Sequence, residues 1–391
     1  MAERKEIKTG RRSLPGLLLP LFLLVFLAVA CGQSENSKLG KGEGRNRLEY
    51  AEMLRMYDGE GYSVAELMTP GDTSKVMKRY VMVPADSVVP GNLPEGTLLR
   101  TPLKRMTVFS TIYTDALADL GAVGNVAGVV DAQYMNTPAI KAGLASGKVA
   151  DCGSSTAPTA ERILATRGDG ILYCQYEGMD ITGIDRLGMP LITMIDNYET
   201  SPLGRAEWLL FLGELTGKRA EAEQMFSRIA ERYQSTLKET SALKRRPKVM
   251  TDNLYQGVWY VPGGNSYQAC LIADAGGDYI LAGDQNTGTL NLSLEEMMVR
   301  AKDADVWIMR SVTPLATNAE LLRLDSRYSA FSPFKKGNVF VADGSKTDVF
   351  TVSAFHPDIM LREYADIFLE STKPADNSAP WSGKFYQRLS K

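Results

Sequence analysis

The chain carries tyrosine, tryptophan and arginine residues at places where predicted strands end. Aromatic rings offer flat faces to a large ring or a catecholate, and an arginine removed from water binds carboxylates or an anionic chelate. Loops at the carboxyl ends of parallel strands are where open α/β sheets bind ligands. The alternative is that any one of these rings only covers a sheet edge. The residues expected to contact a small molecule are Tyr113, Tyr134, Tyr176, Glu177, Trp259, Tyr260 and Arg310.

His356 is the only histidine of the chain. An imidazole can bind haem iron as an axial ligand, so we count His356 among the candidate ligand contacts. The alternative is a structural histidine, because it stands just before Pro-Asp at the start of a predicted helix.

Motifs of several enzyme classes are missing from the sequence. It contains no HExxH zinc motif, no GxSxG nucleophile elbow and no GxxxxGK[ST] phosphate loop. One histidine also excludes a site built from several histidines. We therefore expect a protein that is not an enzyme.

The N-terminus has the features of a secretory signal. Basic residues precede the apolar run 14–30, which ends in small residues just before Cys31. The sequence 27–31 is similar to a bacterial lipobox, with Ala28 at the position where leucine is usual, and this similarity implies that Cys31 carries lipid. The alternatives are a plain signal peptide or an uncleaved anchor. Residues 32–44 are polar and predict a flexible tether.

The composition is that of a globular protein. The 391 residues include 44 Lys and Arg against 46 Asp and Glu, which gives a net charge of −2, and 44% are hydrophobic. This balance argues against a nucleic-acid binder, and the length predicts two folded units. Cys152, Cys174 and Cys270 are odd in number, so at least one thiol is unpaired within the monomer. One disulfide between two of the three is possible, and the sequence does not indicate which two.

Predicted strands and helices alternate along most of the chain, which is typical of doubly wound parallel sheets. The alternation stops at about 201–244, where apolar residues recur at helical spacing and predict one long helix over 220–243. The expected fold is α/β, with two doubly wound α/β lobes bridged by that helix. The expected segments are a signal peptide (1–30), a tether (31–45), an N-terminal lobe with a β-rich lead-in (46–200), a helical segment with the interlobe helix (201–246) and a C-terminal lobe (247–391).

Each expected lobe contains one copy of a local pattern. A glutamate, Glu161 or Glu295, begins a helix, and an aspartate then leads a buried strand. Together with the segments 110–121, 128–131 and 356–358, this order resembles the periplasmic substrate-binding lipoproteins of ABC importers for iron complexes, haem and cobalamin. The resemblance covers about residues 75–370.

The resemblance implies that the interlobe helix is rigid, that the ligand lies in a cleft between the lobes and that no cofactor is used. It also implies a function and partners. The expected partner is the complex of an ABC permease and its ATPase. One surface glutamate in each lobe is expected to dock on the permease. These glutamates are Glu161 and Glu295, with Glu296 as an alternate to Glu295. The alternative is that these residues only favour the helix dipole. The cargo is expected to be a ferric siderophore or haem, and the alternative cargo is cobalamin. The alternative function is that of a lipoprotein that scavenges haem or iron without a permease. We expect a lipid-anchored monomer on the periplasmic side of a membrane.

Overall fold

The computed structural model describes residues 44–174, 181, 183–372 and 381–390. Outside these residues lie the predicted signal peptide, the predicted lipidation site Cys31 and nearly all of the predicted tether. The candidate contacts Tyr176 and Glu177 lie outside them as well. No helix within the described ranges is long and apolar enough to cross a membrane.

A four-stranded sheet in the order β1-β2-β3-β4 precedes the first lobe. The hydroxyl of Tyr80 on β3 donates to the carbonyl of Leu191 at 3.0 Å and accepts the N–H of Thr193 at 2.7 Å. These bonds satisfy backbone groups at the outer edge of the next sheet, which would otherwise stay unpaired. The four strands are β1 (Leu54–Gly59), β2 (Tyr62–Thr69), β3 (Asp72–Pro84) and β4 (Thr97–Thr101).

The N-terminal lobe is a parallel sheet in the order β11-β10-β5-β6-β7. The chain starts in the middle at β5, moves outward to β7 and returns to the other side at β10, so the direction of winding reverses between β5 and β10. The elements are β5 (Met106–Val108), α1 (Thr111–Asp119), β6 (Val126–Val129), α2 (Pro138–Ala145), β7 (Ala150–Asp151), β8 (Gly153–Ser154), β9 (Ala157–Pro158), α3 (Ala160–Ala165), β10 (Gly170–Cys174) and β11 (Leu191–Met194).

Three helices follow: α4 (Pro202–Glu207), α5 (Leu209–Thr216) and α6 (Arg219–Ser241). The 23 residues of α6 span about 34 Å at 1.5 Å per residue. The first part of α6 packs against α5, where Ala222 lies beside Gly213. Further along, the hydroxyl of Tyr233 donates to Asp274, which belongs to the second lobe.

The C-terminal lobe contains a sheet in the order β15-β12-β17-β18-β19. The first four strands are parallel and β19 is antiparallel, and the winding reverses between β12 and β17. A separate antiparallel sheet has the order β13-β14-β16. The elements are β12 (Lys248–Thr251), β13 (Leu254–Tyr255), β14 (Val258–Pro262), α7 (Tyr267–Asp274), β15 (Asp278–Tyr279), β16 (Thr289–Leu292), α8 (Leu294–Ala301), β17 (Val306–Ser311), α9 (Asn318–Leu324), α10 (Ser332–Lys336), β18 (Val339–Asp343), α11 (Val349–Phe355), α12 (Pro357–Ser371) and β19 (Tyr386–Arg388).

The two lobes share the local pattern seen in the sequence, and the structure shows its physical basis. Asp169, just before β10, accepts the backbone N–H groups of Lys104 and Arg105 ahead of β5. Asp305, just before β17, accepts the backbone N–H of Lys248, the first residue of β12. In each lobe the aspartate therefore fixes the start of one central strand beside the start of its neighbour.

Candidate functional site

The strongest candidate site lies where the winding of the C-terminal sheet reverses, at the carboxyl ends of β12 and β17. Open α/β sheets bind ligands at this kind of position because the loops on either side diverge and leave a crevice. Asp252 follows β12, and Arg310 is the penultimate residue of β17. A cavity of about 450 Å³ opens here, within the usual range for small-molecule sites.

Two buried tryptophans position the end of β12 under this cavity. The indole N–H of Trp259 donates to the carbonyl of Thr251 at 2.9 Å, and that of Trp307 donates to the carbonyl of Asp252 at 2.7 Å. Asp252 has a φ of +57°, a left-handed conformation that aspartate and asparagine adopt more readily than most residues. These two hydrogen bonds hold the turn, so the Asp252 carboxylate is directed toward β17.

Arg310 is the charged centre of the cavity. Its guanidinium lies 3.5 Å from the Asp252 carboxylate and donates to the side-chain carbonyl of Gln268 at 3.1 Å. Burial of this side chain, 19% exposed, works to lower the pKa of Arg310, but Asp252 and nearby tyrosines raise it above its usual value. Arg310 is therefore a fixed positive charge, and part of its surface is open to a ligand.

The rest of the cavity is aromatic and polar. Tyr260, one of the predicted ligand contacts, lies on β14, is 42% exposed and lines the cavity. Tyr255, at the end of the β13–β14 hairpin, is 63% exposed beside it and was not among the predicted contacts. The other lining residues are Asn253, Leu254, Val261, Pro262, Thr289, Ser311, Val312, Thr313 and Leu324.

The structure corrects the sequence prediction for Tyr113 and Trp259, because neither side chain is exposed. Tyr113, in the first turn of α1, points into the lobe and donates to the Asp196 carboxylate at 2.6 Å. Burial, together with this carboxylate, raises the pKa of Tyr113 far above its usual value. Trp259 packs between Trp307, Tyr328 and other core rings, so its part in the site is to support the floor.

His356 also lies away from the Arg310 cavity. It follows the end of α11, and its Nε2 atom is 2.9 Å from the carboxylate of Asp119 on α1. Both residues line a separate cavity of about 210 Å³ between α1 and α11. The structure therefore does not bring His356 together with the other candidate contacts. Tyr134, in the short 3-10 turn after β6, is 67% exposed.

A buried polar cluster joins the two lobes and was missed from the sequence. The guanidinium of Arg205, on α4, donates to Asp196 at 2.9 Å and lies 4.6 Å from the centre of the Tyr267 ring. Asp196 follows β11 in the first lobe, whereas Tyr267 begins α7 in the second. The only sign of this polar cluster in the sequence is that Asp196 comes just after an apolar strand.

The predicted docking residues occupy equivalent positions on two exposed helix starts. Glu161 and Glu295 are each the second residue of their helix, α3 and α8. Glu295 is 78% exposed and lies 3.6 Å from Arg327. Glu296, the alternate, is instead used in a capping box, in which it accepts the backbone N–H of Ser293 at 2.8 Å.

The cysteines and acidic residues provide no metal or redox centre among the described residues. Cys152, Cys174 and Cys270 form no disulfide with one another. Burial raises the pKa of the Cys152 and Cys174 thiols to about 11, so both are protonated at neutral pH. No group of three or more His, Cys, Asp or Glu residues in the described ranges could hold a metal ion.

Comparison with known proteins agrees with this architecture. Residues 108–345, more than half of the chain, match the family model described as periplasmic binding protein. An uncharacterised lipoprotein of Methanocaldococcus jannaschii is 30% identical over 311 residues, which cover 73% of each chain.

Two solved structures share the fold. One is described as an ABC-type Fe³⁺-hydroxamate transport system from Saccharomonospora viridis, with a TM-score of 0.54 and 17% identity over 68% of this chain and 93% of that one. The periplasmic haem-binding protein HutB of Vibrio cholerae has a TM-score of 0.54 and 16% identity over 69% of this chain and 99% of its own.

The chain belongs to the periplasmic binding protein family, which confirms the resemblance stated from the sequence. It is accordingly a binding protein and not an enzyme.

Proposed function

We propose that this protein is the solute-binding component of an ABC importer that captures an iron complex, a ferric siderophore or haem, and delivers it to a membrane permease. The observation that carries the proposal is the cavity around Arg310, at the position where the C-terminal sheet reverses its winding. The N-terminal sheet has the corresponding reversal between β5 and β10. In the proposed mechanism the carboxyl edges of both sheets form the cleft that holds the cargo.

We further propose that α6 limits relative movement of the lobes. It packs on α5 at one end and on α12 at the other, and Arg362 of α12 donates to Glu239 of α6 at 2.7 Å. The Arg205–Asp196 pair and the Tyr267 ring add a second connection that is buried. A binder of this kind captures its cargo with small local adjustments and not by a wide hinge motion.

Delivery is proposed to use Glu161 and Glu295 as docking residues. Both carboxylates stand at the same position of equivalent helices, one in each lobe, and exposed charges of this kind orient a partner and speed its association. The capping role of Glu296 favours Glu295 as the docking residue of the second lobe.

The experiment that tests delivery is uptake of a labelled ferric chelate by cells that carry Glu161→Ala with Glu295→Ala. We expect uptake to be lost while the affinity of the purified protein for the chelate stays unchanged. The control, Glu60→Ala with Asp303→Ala, removes two exposed carboxylates elsewhere and should transport normally. Normal uptake by the docking variant would contradict the docking proposal and favour a scavenger that needs no permease.

Membrane attachment is proposed to occur through lipid on Cys31. Two acyl chains are sufficient for stable anchoring, whereas one is marginal. We expect Cys31→Ser to move the protein from the membrane fraction to the soluble fraction after cell lysis. If the Cys31→Ser protein stays in the membrane fraction, attachment depends on another segment.

A further inference from the structure

Charge is scarce in the cavity of the second lobe, and it is balanced. Of the 14 lining residues only Asp252 and Arg310 are charged, and they neutralise each other at 3.5 Å. The other twelve side chains are tyrosine, amide, hydroxyl or apolar groups. A ligand that enters this cavity therefore meets hydrogen-bonding groups and ring faces, without an excess of positive charge.

The loops that follow the parallel strands carry more negative than positive charge. In the first lobe, the segments 109–110, 130–137, 152–159 and 195–201 together contain three acidic residues and no lysine or arginine. The described residues of the loop after β10, 181 and 183–190, add Asp185 and Arg186. In the second lobe, the segments 252–253, 280–288, 312–317 and 344–348 contain one cation. The acidic residues of all these segments are Asp131, Asp185, Asp196, Glu199, Asp252, Asp284 and Asp348.

Lys346, the cation of the second-lobe segments, already has a partner. Its ammonium group lies 3.0 Å from the carboxylate of Asp343. Arg205, four residues after the segment 195–201, is held by Asp196. Arg310, Lys346 and Arg205 therefore each have a carboxylate partner already, so the charges of a polyanionic ligand held by these groups would be desolvated without a counterion.

We infer that the cargo is an uncharged or cationic metal chelate, rich in amide, hydroxyl or hydroxamate groups, and not a polyanion. The inference rests on the proposed function, because it refines the cargo of the same site. Ferric trihydroxamates and corrinoids have this chemistry. Haem, with two propionates, and ferric tris-catecholates, which are polyanions, do not.

The first test is calorimetric titration of the purified full chain, in detergent, with four chelates: a cationic ferric trihydroxamate, cyanocobalamin, haemin and a ferric tris-catecholate. We expect the tightest binding to come from the trihydroxamate or cyanocobalamin, at least about tenfold tighter than either anion. If haemin or the tris-catecholate binds most tightly, the inference is wrong while the proposed function stands. If none of the four binds, the proposed function fails, and the inference fails with it.

The second test changes the charge balance at Arg310. Asp252→Asn removes the counterion of Arg310 and keeps a residue that tolerates the left-handed backbone. We expect affinity for the anionic chelates to rise about tenfold and affinity for the cationic chelate to fall by a similar factor. The matched control, Asp303→Asn, removes one carboxylate that is 83% exposed at the opposite end of β17 and should change neither affinity.

A second cavity variant tests the same inference if Asp252→Asn does not fold. Arg310→Gln leaves the Asp252 carboxylate without its cation, so we expect the cationic chelate to bind about tenfold more tightly. Equal affinities for the cationic chelate in wild type and in both cavity variants would overturn the inference.

Discussion

Replacing Asp196 by asparagine tests the buried connection between the lobes. Asp196 has no exposed surface, and Arg205, its partner at 2.9 Å, is 8% exposed. The substitution keeps the shape of the side chain but removes the negative charge, so the Arg205 guanidinium stays buried with the Tyr267 ring beside it. Breaking one side of a buried ion pair typically costs about 3–5 kcal/mol. We expect Asp196→Asn to lose a free energy of unfolding in that range.

The assay is urea denaturation at neutral pH, followed by tryptophan fluorescence. The matched control is Asp119→Asn, which removes the partner of His356 in a pair whose aspartate is 46% exposed. Because solvent-exposed pairs contribute little, we expect the control to lose less than about 1 kcal/mol. A loss of less than about 1 kcal/mol in Asp196→Asn as well would refute the claim that this pair holds the lobes together.

Four further predictions concern the loop after β14, the helix α8 and the contact between α1 and α11. Gly264→Ala should destabilise the chain by about 3 kcal/mol in urea denaturation, because its Cβ would lie 2.1 Å from the carbonyl oxygen of Leu281. Ser293→Ala should lower the free energy of unfolding by about 1 kcal/mol, since the N-cap hydroxyl of α8 accepts the Glu296 N–H; an unchanged value would argue against that cap. Asp115→Asn should gain stability relative to wild type as the pH rises from about 4 to 7. Burial raises the pKa of Asp115 in the folded protein. The contribution of this carboxyl to stability is therefore present below its unfolded pKa and is lost as the pH rises through its folded pKa. A difference in the free energy of unfolding between variant and wild type that stays constant from about pH 4 to 7 would contradict this. His356→Ala should leave chelate affinity unchanged in a calorimetric titration, because His356 lies in a different cavity from Arg310.

Features that depend on local periodicity could be predicted from the sequence. The apolar spacing predicted a helix over 220–243, and α6 covers Arg219–Ser241. The alternation of strands and helices predicted two α/β sheets, and the repeated pattern located Glu161 and Glu295 at equivalent helix positions. These features are accessible because each depends on residues that are close in the chain.

Features that depend on contacts between distant residues could not be predicted. Tyr113 and Trp259 follow strands in the way that ligand contacts do, but their direction into the core is set by tertiary packing. The pairing of Asp252 with Arg310 joins residues from two strands that become neighbours only in the folded sheet. The antiparallel strand β19 follows α12 near residue 390, and no local pattern predicts that this segment pairs with β18 in the sheet.

The central claim, that a metal chelate binds above the carboxyl edge of the second sheet, is tested most directly by fluorescence titration of the full chain. Trp259 and Trp307 hold the backbone under the Arg310 cavity, so a coloured chelate bound there should quench their emission. We predict saturable one-to-one quenching by a ferric trihydroxamate or cyanocobalamin, with a Kd below about 1 µM, weakened about tenfold by Tyr260→Ala. The absence of saturable quenching with every metal chelate, or equal affinity in Tyr260→Ala, would contradict the account.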